Sequence, residues 1–375
     1  MSLSVCLAAN TLSYPEGGGH LWVHLNWALG LRSLDCRVLW LEAVEPGTPV
    51  AEARRQVAGL RQRLGRYDLA DGLVLCSQAG APLAAEVLDG CLDLDAAAEV
   101  DLLLNLRYDL PAEVVGRFRR SALLDIDPGL LQLWVHVGQV TLARHDVYFS
   151  IGETVGQPGS RIPDVGLAWQ YTPPCVALPW WPPRRAPADA AFTTVAHWYD
   201  AWVEDEAESY DNTKRSGFLP FLELPGRTAQ PLELALDLTP DDDDQVLLWR
   251  HGWRVRDATA VAATPWDYQR YLQDSRGEFS CVKPSCIRLE NAWISDRTLC
   301  YLASGKPAVV QHTGPSRFLP DAAGLLRFRD LAGAVRCLEA AAVDYDRHCH
   351  LARALAEEHF DARKVARRVL QRALT

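Results

Sequence analysis

The chain has 375 residues, more than one ordinary hydrophobic core takes, so two domains with a cleft between them are expected. A composition of 49% hydrophobic and 23% charged residues excludes disorder. The net charge of -10 argues against duplex nucleic acid or an anionic membrane as partner, because both bind basic surfaces, and no apolar run approaches the roughly 20 residues that span a bilayer.

The opening MSLSVCLAAN has no basic start and reads as a first strand rather than an export signal, which implies a cytoplasmic protein. Residues 3–9 are followed by the turn-forming YPEGGG, the helically spaced HLWVHLNWALGLRSL and the strand CRVLWLE. The alternation continues with helix AEARRQVAGLRQRLGRY, strand GLVLC, helix PLAAEVLDGCL, strand VDLLLNL, helix PAEVVGRFRR and strand ALLDID. Strands alternating with helices of this length predict a parallel sheet covered on both faces. From 152 to about 189 proline density predicts an interdomain linker without regular elements. FTTVAHW then opens a second α/β unit: helix-like TKRSGFLPFLEL, strand PLELALDL, DDDDQVLLWRHGW, helix PWDYQRYLQDS, strand GEFSCVK, helix SDRTLCYLASG, strands KPAVVQ and GLLRF, and three helical segments to 375. The acidic run Asp241 to Asp244 fits an exposed helix start, where the macrodipole favours carboxylates; it lacks the spacing of a calcium loop. The predicted fold is α/β with two doubly wound, Rossmann-like lobes, 1–180 and 190–350, and with 351–375 packing back on the first. The ten cysteines lack zinc or redox spacing, Cys281 and Cys286 being the closest pair, and read as reduced, mostly buried thiols.

Tyr14 to His20 lie at the carboxyl end of the first strand, the edge where open α/β sheets bind ligands. Three glycines there permit positive φ and let a substrate approach the backbone and the helix start; their spacing is not that of a dinucleotide site. His20 at that position is a candidate general base for an attacking hydroxyl, the alternative being a helix-capping histidine. Asp125 and Asp127 end the strand ALLDID. Asp127 reads as a helix cap with Pro128 at the first helical position and a possible role orienting His20; a metal held by the pair ranks last. In the second half Lys214 and Arg215, after a loop containing Glu204, Glu206 and Glu208, form a cationic pair suited to a diphosphate, or an ordinary solvated pair.

The most informative stretch runs from Ser295 to Val310. Ser295 caps a helix, Gly305 ends it, and Lys306-Pro307-Ala308-Val309-Val310 starts a strand. This arrangement resembles the donor-binding segment of GT-B glycosyltransferases, written there as a helix ending A-x-G-x-P-V-V. The flanking RGEFSCVKPS and QHTGPSRFLP resemble the loops beside the donor phosphates and sugar. GGGH is similar to the loop carrying the base histidine of many antibiotic and small-molecule glycosyltransferases, and the last helices resemble the GT-B tail that folds back. The resemblance implies sugar transfer from a nucleotide-sugar donor to a small-molecule acceptor, with no cofactor and no metal. It implies His20 and Asp127 as the catalytic pair and Gly18, Gly19, Lys214, Arg215, Lys283, Ser295, Asp296, Arg297, Thr313 and Gly314 around the donor, Asp296 holding sugar hydroxyls. Retaining families with paired glutamates place the second five residues before the glycine, where this chain has Cys300, so an inverting displacement fits better. A nucleotide-sugar epimerase or hydrolase, or a non-catalytic binder of sugar nucleotides, are the alternatives on the same fold.

Overall fold

The computed structural model describes residues 3–80, 82–187, 189–200, 202–204, 209–239, 241–317, 319–321 and 323–375. The chain divides into two compact units: residues up to 156 with 163–177 and 362–375 form the first, and 157–162 with 178–361 form the second. Residues 351–361, grouped by sequence with the returning tail, therefore stay in the second unit.

In the first unit β1 (Ser4–Ala9), β2 (Arg37–Val44), β3 (Leu73–Ser77), β4 (Leu102–Asn105), β5 (Ser121–Asp125), β6 (Val147–Ser150) and β7 (Trp169–Tyr171) make one sheet. Its order is β3-β2-β1-β4-β5-β6-β7, with every pair parallel. Leu7 stands between Trp40 and Leu104. Burial on both faces explains why these strands read as apolar runs. β7 corrects the expectation that 152–189 holds no regular element: an edge strand of three residues needs one neighbour only, and the nearby prolines at 163, 173 and 174 fall outside it.

The second unit holds β8 (Phe192–Ala196), a hairpin of β9 (Trp202–Glu204) and β10 (Ser209–Asp211), and then β11 (Leu232–Leu236), β12 (Arg254–Asp257), β13 (Gly277–Ser280), β14 (Ala308–Gln311) and β15 (Leu325–Phe328). Its six-stranded sheet, β12-β11-β8-β13-β14-β15, is again parallel throughout. Phe279 and Phe328 stack at 5.3 Å in its core, beside Phe218 and Trp253. The last helix, Ala362–Ala373, buries Val365, Ala366, Val369 and Leu370 in the first unit and turns five cations outward. No helix among the described residues is long and apolar enough to cross a membrane.

The strand order reverses between β1 and β4 in one sheet and between β8 and β13 in the other. At such a switch point the loops leaving the carboxyl ends diverge and open a crevice. The candidate residues of each unit lie at its own switch point.

Candidate functional site

In the first unit the chain leaves β1 at Ala9, turns through residues 10–17 and enters the helix Gly18–Arg32. The glycines are not used for positive φ: Gly17 sits at -91° and Gly18 and Gly19 form the first helical turn, which keeps backbone N–H groups at the mouth of the loop. His20 packs its ring on Tyr14 at 4.6 Å and on the edge of His24 at 5.0 Å. Its Nε2 lies 2.5 Å from the Asn10 carbonyl oxygen. A carbonyl only accepts, so Nε2 carries a proton and the basic lone pair belongs to Nδ1. Burial pushes the His24 imidazole down to about 3, with His20 adding to the effect, so His24 is neutral.

Glu42, near the end of β2, is fully buried and accepts from the Thr11 and Leu12 amides, the Thr11 hydroxyl and the Trp40 indole. Sequence reasoning missed it; the available signal was one carboxylate inside the apolar run RVLWLEAV. Asp125 ends β5 and accepts from Gln132, Ser150 and the Asp127 amide; burial raises its carboxyl to about 6. Asp127 does not cap the next helix as expected. That helix is Leu130–His136, and Gly129, at φ 93°, takes the cap with help from the Gln132 side chain, because the Asp125 turn carries the chain two residues further. Asp127 and Tyr14 both lie close enough to Tyr108 to add to the rise of its phenol, mainly due to burial, to about 12. Arg107, at the end of β4, is buried and paired with Asp109 and Glu45.

In the second unit Thr213 caps the short helix Lys214–Phe218. A Cβ on Gly217 would meet the Val282 carbonyl at 2.2 Å, so only glycine lets this helix lie against the strand end. The approach delivers the buried Lys214 ammonium to the Cys281 carbonyl at 2.6 Å. Burial, with the charges of Arg297 and Lys283 nearby, pushes that ammonium down to about 7 from 10.5. Lys214 thus holds spare N–H donors at the carboxyl end of β13, among other cations.

Its sequence partner, Arg215, points elsewhere. It pairs with Asp244 at 2.5 Å, which also accepts from the Trp198 indole and the Tyr199 hydroxyl. The acidic run is therefore only partly the exposed helix start expected of it: Asp242 caps the helix Asp243–Arg250, and Asp244 is buried against Arg215. Of the glutamates before Lys214, Glu204 lies in β9, and Glu206 and Glu208 lie outside the described residues. Lys283 forms an ion pair with Asp200.

Ser295 caps the helix Asp296–Ala303 through the Arg297 amide. Arg297 itself turns into the sheet, donating to Glu278 at 2.9 Å, the Val195 carbonyl at 2.7 Å and the Ser280 hydroxyl at 2.7 Å. It ties β8 to β13 and gives Lys214 a fixed positive neighbour. Thr313 donates to the Trp293 carbonyl, and the Ala292 amide donates to Thr313, joining loop 290–293 to loop 312–314. Glu290 and Ala292 have φ of 48° and 51°, a left-handed pair that this zipper sustains, and Gly314, at φ 126°, fits beneath Glu290, where a Cβ would come within 2.7 Å of its carbonyl.

No family model and no curated protein matches the sequence. Solved structures do. An α-glucosyltransferase in complex with UDP-glucose and DNA containing an abasic site aligns over 100% of both chains at a TM-score of 0.61 and 10% identity. HepE from Anabaena, in complex with UDP-glucose, aligns over 99% of both at 0.57 and 11%. Sucrose-phosphate synthase from Thermosynechococcus elongatus aligns over 98% of both at 0.55 and 11%. The chain has the GT-B fold.

The comparison corrects one expectation drawn from charge. An α-glucosyltransferase with this fold holds UDP and a 13-mer DNA with a central A:G mismatch, so the fold is compatible with duplex nucleic acid and the expected exclusion of that partner does not stand. Net charge averages over a surface on which cations can gather locally. Here Arg363, Lys364, Arg367, Arg368 and Arg372 are exposed on one helix that carries no acidic residue.

Proposed function

We propose that the protein transfers a glycosyl group from a nucleoside diphosphate sugar to a small-molecule acceptor, with inversion and without a metal ion. The observation that carries this reading is Lys214: a buried ammonium with spare donors, at the switch point of a GT-B sheet and beside Arg297 and Lys283. A diphosphate supplies the countercharge that this position lacks, and the interaction strengthens as the leaving group gains charge. The acceptor oxygen attacks the anomeric carbon, the bond from that carbon to the diphosphate oxygen breaks, and the hydroxyl proton passes to Nδ1 of His20. Asp296, at the helix start, is assigned to sugar hydroxyls, and the 290–293 and 312–314 loops to the donor's surroundings.

Metal independence is supported by where the carboxylates go: Asp125 is committed to Gln132, Ser150 and the Asp127 amide. A cytoplasmic location is supported by the cysteines, six of which are buried, with burial pushing the Cys76 thiol up to about 12.

The test is a thermal-shift panel of UDP, GDP, dTDP and their sugars, followed by release of the nucleoside diphosphate with and without pooled acceptors. One nucleotide series is expected to raise the midpoint, and release to need acceptor and survive excess EDTA. Release without acceptor points to hydrolysis, and loss restored by Mn²⁺ or Mg²⁺ overturns metal independence.

A further inference from the structure

The peptide group between Asn10 and Thr11 is bonded at both ends. Its N–H, that of Thr11, lies 3.0 Å from both oxygens of Glu42. Its C=O, that of Asn10, accepts from Nε2 of His20 at 2.5 Å. A trans peptide is planar with N–H and C=O directed oppositely, so a carboxylate on one side and an imidazole on the other become linked through one rigid unit. We propose that Glu42 is the residue that positions His20, acting through the Asn10–Thr11 peptide in the part an aspartate plays when it bonds a catalytic histidine directly.

The physical case has three parts. The carboxylate is buried and held by four further constraints on its orientation: the Thr11 hydroxyl, the Leu12 amide, the Trp40 indole at 2.9 Å, and its place in an interior strand between Ala9 and Leu75. It cannot swing away from the peptide without breaking several bonds at once. A charged acceptor on the N–H also polarises the amide, so the Asn10 oxygen becomes a better acceptor for Nε2–H. The protonated nitrogen is thereby fixed as Nε2, and Nδ1 is left as the lone pair that takes a proton. Tyr14 and His24 close the ring in from two sides, and the neutral His24 adds no competing charge. Arg107, close enough to feel the charge of Glu42, is itself bonded to Asp109 and Glu45.

This inference rests on His20 as the base, yet the two can fail separately. The measurement is the tautomer of His20 in the full chain labelled with ¹⁵N-histidine, its ring signals identified by their loss in His20→Gln, beside turnover of UDP-glucose with the pooled acceptors. The parent protein is expected to show Nε2 protonated and Nδ1 unprotonated. Glu42→Gln is expected to mix the tautomers and lower kcat about tenfold or more with KM for UDP-glucose unchanged. A parent ring protonated at Nδ1 overturns the proposal and needs no variant, so poor folding of Glu42→Gln does not protect it. Glu42→Gln that lowers the melting midpoint but leaves the His20 nitrogens unchanged makes Glu42 a loop anchor only. If the tautomers mix while both Glu42→Gln and His20→Gln retain the parent rate, the positioning stands and the base assignment falls.

Discussion

At the carboxyl edge of the first sheet Glu42 and Asp125 are buried carboxylates, each bonded by three or more donors from neighbouring strands, loops and helices, and the buried Arg107 is paired with Asp109 and Glu45. At the same edge of the second sheet Lys214 is a buried ammonium with one carbonyl at 2.6 Å and further cations beside it. The topology is the same, and the difference lies in how far each buried charge is satisfied. Carboxylates saturated by amides and hydroxyls shape a loop and need nothing more. An ammonium with donors to spare is completed by an anion. In one fold, then, the first edge sets a histidine beside saturated carboxylates and the second leaves an ammonium with donors to spare, a contrast that fits the base and the leaving group proposed for them.

Removing the base attacks the first half of this comparison and should have the largest effect. His20→Ala is expected to lower transfer about 10²–10⁴-fold while the affinity for the nucleoside diphosphate holds, because the diphosphate is assigned to the other unit. Transfer within a few-fold of the parent would remove His20 from the chemistry. Next is Arg297→Ala, which leaves Glu278 buried without its 2.9 Å partner; unpairing a buried ion pair typically costs about 3–5 kcal/mol, read as earlier urea unfolding. A mutant of parental stability that loses only donor affinity would restore Arg297 to ligand binding.

Lys214 sharpens the second half. Lys214→Met is expected to weaken the nucleoside diphosphate by one to two decades in titration calorimetry, corresponding to a charged hydrogen bond of about 1.5–3 kcal/mol. The pH dependence follows from the lowered ammonium. Between about 7 and 10.5 the unfolded chain binds a proton at Lys214 that the donor-free native protein does not, so this group makes stability rise with pH across that window. Diphosphate binding needs the charged lysine and takes the proton back. Affinity should therefore fall above about pH 7, by up to about tenfold per unit, and the slope should vanish in Lys214→Met. The smallest effect belongs to Asp296→Ala, expected to weaken UDP-glucose more than UDP; equal losses would return Asp296 to favouring the helix start, where removal costs about 0.3–1 kcal/mol of stability.

Much of this architecture was legible in order. Buried parallel strands announce themselves as apolar runs such as LSVCLAA and VDLLLNL, and the Ser295 cap with Gly305 marked a helix at 296–303. β12, with the sequence RVRD, did not announce itself: an edge strand can carry charge on its exposed positions, and its pattern is then that of a loop. The candidate site was legible as positions rather than as roles. Lys214 and Arg215 are adjacent cations in the sequence, yet successive residues on a helix face different directions, and one met the Cys281 carbonyl while the other met Asp244. Glu42 stood in plain view inside its strand, but the peptide it bonds belongs to the preceding loop, 31 residues away.

The sequence alone determined the periodicities, the caps and hence two parallel α/β units, because these depend on neighbours within a few residues and on which faces must leave water. The tertiary structure alone decided which charged side chains remain available. Whether a lysine, an arginine or a glutamate serves a ligand or the fold depends on the acceptors and donors that distant strands bring within about 3 Å, and on how deeply those strands bury it.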